Sequence, residues 1–89
     1  MTTDGDTIAL SEALPLIRDT VHRCAPRLFT IYGADEVTGS PLIGWGMDFG
    51  PKIGALYWQP HDNTTHTGES AEQIHKIYEL AGVAHLDWL

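Results

Sequence analysis

Two imidazoles and a carboxylate lie within the short run Gln59-Pro60-His61-Asp62-Asn63-Thr64-Thr65-His66. Neutral imidazole nitrogens and carboxylate oxygens are ligands for zinc and iron, and such a site needs one further donor, for which His85 or Asp48 is available. A five-residue spacing in a loop permits that geometry without prescribing it, unlike a His-Glu-x-x-His pair on a helix. Solvated residues that cap turns and set the loop's shape are the simpler account of His61, Asp62 and His66, and contact with a partner is a third. A His-Asp pair joined by Ser70 or Thr67 can be drawn as a nucleophile set, but no nucleophile elbow or oxyanion donors accompany it. No residue is therefore assigned a catalytic role, and an enzyme is the less favoured class.

The remaining histidines are isolated. His85 alternates with Leu86 and Trp88 and points away from them. His75 flanks an apolar helical stripe, and His22 could pair with Asp19 or Glu12. Gly44, Gly46 and Gly50 do not form a phosphate cradle, since they precede no helix and keep no dinucleotide or P-loop register. Trp45, a large ring between two glycines, is either a core plug, the favoured reading, or an exposed anchor for a partner. If that face binds, Asp35, Glu36, Asp48 and Asp62 are its charged companions and Trp58 the alternative anchor.

The elements that position these residues follow from periodicity. Residues 1–7 read as a flexible lead, with a brief strand an option over Thr7 to Leu10. Ser11 is a helix cap, and Leu10, Leu14, Ile17, Val21 and Cys24 recur at three- and four-residue steps, making an inner face for a helix over Ser11–Cys24. Pro15 is awkward inside it, and Pro26 stops it. Leu28–Tyr32 suits a central strand. Pro41 to Phe49 and Ile53 to Trp58, joined at Gly50-Pro51-Lys52, form a hairpin with Ile53, Ala55 and Tyr57 on one side. Its Gly-Trp-Gly pattern marks a bend, a bulge or a close approach. Gln59 to Glu69 reads as a polar loop. Ser70 and Gln73 make a capping box for a helix whose stripe is Ile74, Ile77, Tyr78 and Ala81, with Gly82 as a left-handed stop. Ala84 to Trp88 is a last strand. The fold class is α+β: a two-layer sandwich, mainly an antiparallel sheet of three to five strands with two helices on one face, in one domain over residues 8–89.

The chain of 89 residues carries 12 acidic and 5 basic groups, a formal charge of -7. Five scattered cations make no strong phosphate-binding patch, which argues against nucleic acid and acidic membranes as direct partners and favours a basic protein surface. Net charge also simply keeps a small protein soluble. Cys24 is the single cysteine, so no internal disulfide exists, and it is expected to pack as a small hydrophobe. The acidic start without an apolar core is unlike a signal peptide, and no run approaches a membrane span, so a cytoplasmic location is expected. Asn63-Thr64-Thr65 matches a glycosylation acceptor without that route to use it.

The layout resembles the immunity proteins of bacterial polymorphic toxin systems, in particular the Imm1 type. The likeness is carried by the helix before Leu28–Tyr32, by Gly44-Trp45-Gly46-Met47-Asp48 with Tyr57-Trp58 in the hairpin, and by the Ser70–Ala81 helix running into Leu86-Asp87-Trp88. It implies a protein that neutralises a cognate toxin, often a basic nuclease or nucleic-acid deaminase, by covering its active cleft. The reading is thus a small acidic protein-binding domain with no cofactor, and a toxin inhibitor in the terms of the resemblance. An accessory subunit of a larger complex is the alternative, and a small metal-binding protein using His61, Asp62 and His66 comes third.

Overall fold

Phe29 and Ile31 alternate with Leu28, Thr30 and Tyr32, and that period of two divides the middle of the chain into a buried and an open side. The computed structural model describes residues 3–89, in the order α1 (Thr3–Arg23), β1 (Arg27–Asp35), β2 (Pro41–Asp48), β3 (Ala55–Gln59), β4 (Thr64–Gly68), α2 (Ala71–Glu79) and β5 (Gly82–Trp88). The strands form one sheet in the order β4-β3-β2-β1-β5, every neighbouring pair antiparallel. The α+β class, with a five-stranded antiparallel sheet and two helices, is as expected. α2 carries the chain from β4 at one edge to β5 at the other.

The core lies between α2 and the sheet. Phe29, Ile31, Tyr57, Ala55 and Ala84 meet Ala71 and Ile74 of the helix. Phe29 and Tyr57 stack at 6.2 Å between ring centroids, and Trp88 closes on Phe29 edge-on at 5.8 Å. The Tyr57 hydroxyl donates to the Ile31 carbonyl at 2.8 Å, so its burial leaves no donor unpaired. These rings fit because Gly46 and Gly44 face them: a Cβ at Gly46 would collide with the Phe29 ring, and one at Gly44 with the Tyr57 hydroxyl. The Gly-Trp-Gly pattern is therefore a close approach. Since side chains alternate, it also turns Trp45 outward, and the favoured reading of Trp45 as a core plug is corrected: it is 48% exposed.

Other expectations change for local reasons. Gln59 to Glu69 is not all loop, because Thr64, Thr65 and Thr67 are β-branched and build the edge strand β4 against β3. Asn63, at φ 55°, supplies the left-handed residue of the connecting turn. Ile53 sits in the β2–β3 turn and is exposed, so it does not share a side with Ala55 and Tyr57, which are buried. The α2 stripe is Ala71, Ile74 and Tyr78; Ile77 and Ala81 lie outside it, Ile77 being 54% exposed. Ser70 caps the helix by accepting the Gln73 N–H at 3.1 Å, and Gln73 accepts the N–H of Glu69 in return. The helix ends at Leu80 in right-handed conformation, so Gly82 is not its left-handed stop. Gly82 begins β5, where a Cβ would strike the Ala34 carbonyl across the strand pair.

α1 is longer than expected. Of the lead over residues 1–7, residues 1 and 2 lie outside the described residues, and Thr3 onward, including Thr7 to Leu10, is helical. Pro15 is accommodated inside the helix. The inner face read from the sequence is not an inner face. Leu14, Ile17 and Val21 are 58%, 49% and 63% exposed, and Cys24 is an exposed thiol, not a packed hydrophobe.

Candidate functional site

Because the strands alternate in direction, the β1–β2 turn, the β3–β4 turn and the α2–β5 connection collect at one end of the sheet. The Glu36 N–H donates to the Ala81 carbonyl at 3.3 Å and ties two of them together. This end is acidic: Asp35 and Glu36 come from the first turn, Asp62 from the second, and Glu79 from the last turn of α2. Asp35 Oδ1 accepts the N–H groups of Val37 at 2.8 Å and Thr38 at 2.9 Å. Those bonds hold its carboxyl below the usual carboxylate range. Asp62 is likewise lowered, first by the Thr64 side chain, and its Oδ1 accepts the Thr64 N–H at 3.2 Å. Both groups are anionic at neutral pH and fixed by the turns they cap.

Between them opens a cleft of about 350 Å³ whose lining includes Asp35, Gln59, His61, Asp62, Leu42 and Tyr78. Tyr78 packs edge-on against Tyr57 and against His66, each with ring centroids 5.3 Å apart. Its hydroxyl is buried without a hydrogen-bond partner, and burial pushes its pKa to about 12. Tyr78 thus stays neutral, and it forms part of the lining of an acidic cleft. A hollow of this kind suits a cationic side chain with an aliphatic stem, its head between carboxylates and its carbons on Leu42 and the tyrosine ring.

The residues singled out in the sequence separate in space. Asp35, Glu36 and Asp62 meet at the acidic end, with His61 beside the cleft. Asp48 is at the opposite end and half-buried, and it is a structural staple: Oδ1 accepts the Gly50 N–H at 2.8 Å and Oδ2 the Ala71 N–H at 2.9 Å. It ties the hairpin turn to the first residue of α2, where a carboxylate also suits the helix dipole. Trp45 and Trp58 pair across β2 and β3 on the sheet face turned from α2, and the Trp58 indole N–H donates to Asn63 Oδ1 at 2.9 Å. On that face Tyr32 packs against His85, the rings tilted and their centroids 5.4 Å apart, and donates to Asp87 Oδ2 at 2.9 Å, a bond that raises the Tyr32 pKa.

The histidine-rich run does not assemble a metal centre among the described residues, where no three His, Cys, Asp or Glu side chains come together. His66 lies on β4 against Tyr78, His85 on the other face of the sheet, and Asp48 at the far end. Ser70 Oγ is engaged as the α2 cap, and Thr67 pairs with Leu56 on the face away from α2, so neither joins a His-Asp pair. Tyr78 was not among the residues the sequence marks for binding. Its apolar helical position reads as core, and only the cleft beside it shows another use. No helix among the described residues is long and apolar enough to cross a membrane. Set against known proteins, the chain matches no family model, and no curated protein or solved structure matches it.

Proposed function

We propose that the chain is a protein-binding domain that docks its acidic end on a basic protein surface, with a lysine or arginine of the partner entering the cleft. The observation that supports it is the pairing of Asp35 and Asp62, both held ionised by their turns, at a cleft whose lining includes Leu42 and Tyr78. Opposite potentials speed encounter and exclude wrong partners, while a smaller enclosed contact supplies affinity. A nuclease or deaminase toxin, whose own substrate is a polyanion, offers such a basic surface, and covering it is inhibition without catalysis.

The test is a biosensor screen of purified bacterial nuclease and deaminase toxin domains, each also assayed for activity. A bound domain should lose activity, associate more slowly as salt rises, and associate more slowly with the Asp35→Asn/Asp62→Asn double variant at low salt. Binding indifferent to both salt and the double variant defeats the acidic-end reading. A screen in which no domain is bound or inhibited defeats the toxin-neutralising one.

A further inference from the structure

The sheet has two faces and α2 covers one. On the other stand Leu28, Tyr32, Ile43, Trp45, Trp58 and Val83, between 40% and 53% exposed. The same chain carries a second bare apolar surface. Leu14, Ile17 and Val21 fall on one side of α1 at helical spacing, all exposed. One surface is a helix stripe and the other a sheet face, the pairing that α2 already makes on the opposite side.

The areas agree with a missing layer. A folded chain of this mass exposes about 5,200 Å², and this one exposes 6659 Å². The surplus of about 1,500 Å² is close to twice the ~800 Å² that each partner covers in an interface of ordinary size. α1 also has the reach: its 21 residues make a rod about 31 Å long, against about 19 Å across five strands.

Its own sheet is the wrong address. The long axis of the molecule is 62 Å against 23 and 19 Å for the others, because α1 leads away from the strands. The link to β1 is Cys24-Ala25-Pro26, in which Pro26 fixes its own φ and keeps Ala25 out of helical conformation. No glycine is there to reverse the direction.

We infer that two copies pair with α1 of each laid across the bare sheet face of the other, Leu14, Ile17 and Val21 meeting the Trp45–Trp58 pair and Ile43. The exchange is isologous and closed, each sheet then lies between two helices, and the acidic ends stay free.

Sedimentation of the full chain tests this, with Ile17→Asp and Ile43→Asp as the variants. Both residues are exposed in the single chain, so the fold should survive, and far-UV circular dichroism checks it; Leu14→Lys replaces Ile17→Asp should that chain misfold. The wild type should sediment as a dimer at about 10 µM, with a Kd below that concentration, and each variant as a monomer with a Kd raised at least about tenfold. A wild type that stays monomeric at about 100 µM, or forms open-ended assemblies, overturns the inference. So does a dimer that survives Ile17→Asp, because the helix would then have no part in it. Asp35→Asn should leave the dimer intact, which separates this result from the fate of the acidic-end proposal.

Discussion

Trp45 and Trp58 stand opposite each other across β2 and β3 on the face away from α2, and Gly44 and Gly46 put them there. The glycines face the Phe29 and Tyr57 rings, so the residue between them must face out. Gly46→Ala should therefore be costly although the change is one methyl group. The added Cβ meets the Phe29 ring and the Leu56 carbonyl, and overpacking of this kind costs about 1–3 kcal/mol or more. Urea melts give the value, and a loss under about 0.5 kcal/mol would mean that Phe29 has room to move.

The two isoleucines of α2 should part company. Ile74 is 1% exposed and Ile77 54% exposed. Ile74→Ala should cost about 2–4 kcal/mol through lost transfer and a cavity, and Ile77→Ala no more than about 0.5 kcal/mol. Equal losses in denaturant would show that α2 is rotated from the position described.

Asp48→Ala removes the acceptor of two backbone N–H groups at once, those of Gly50 and Ala71. A loss of about 1–2 kcal/mol is expected, the scale of a helix cap, with Asp48→Asn keeping much of it. Thermal melts of the two variants make the comparison. Binding to a basic partner should be unchanged in Asp48→Asn, since this carboxylate is far from the acidic end.

The Tyr78 hydroxyl is buried and unpartnered, so Tyr78→Phe should be neutral or stabilise by up to about 1 kcal/mol. Its raised pKa adds a pH signature. The neutral form belongs to the fold, so the stability it contributes is complete below the ordinary tyrosine value and is lost as pH rises through about 12. An absorbance titration of the phenols should show one of the three tyrosines ionising near that pH, and Tyr78→Phe should remove that step. If the step persists in Tyr78→Phe, the assignment to Tyr78 is wrong.

Asp35 and Asp62 have the opposite sign. Their folded values lie below their ordinary ones, so their contribution is complete above the carboxylate range and is lost as pH falls through the lowered values. Stability should decline as pH drops below about 4, less steeply in Asp35→Asn/Asp62→Asn than in the wild type. Acid titrations of equal steepness would mean that the turn hydrogen bonds do not favour the ionised form.

Much of this molecule is legible without coordinates because it is decided within a few residues. Ser70 and Gln73 announce α2, and alternation announces β1 and the hairpin. Even the outward Trp45 is implied by the glycines on either side of it, once they are read as a close approach. β4 is not legible in the sequence because Thr64 to Gly68 has no apolar alternation, and a polar edge strand gains its definition from β3 beside it.

What the tertiary structure alone decided is how distant segments meet. Asp35 and Asp62 share a cleft because antiparallel strands return every second turn to the same end, while the same alternation sends Asp48 to the other. Ile77 and Cys24 are equally good core residues by spacing, yet burial needs a facing surface. α2 covers a single face of the sheet and orients itself by Ile74, so Ile77 is left outside, and among the described residues Leu14, Ile17 and Val21 of α1 stay exposed. Spacing along a helix says which residues share a side; only the arrangement of the other elements says whether that side is covered.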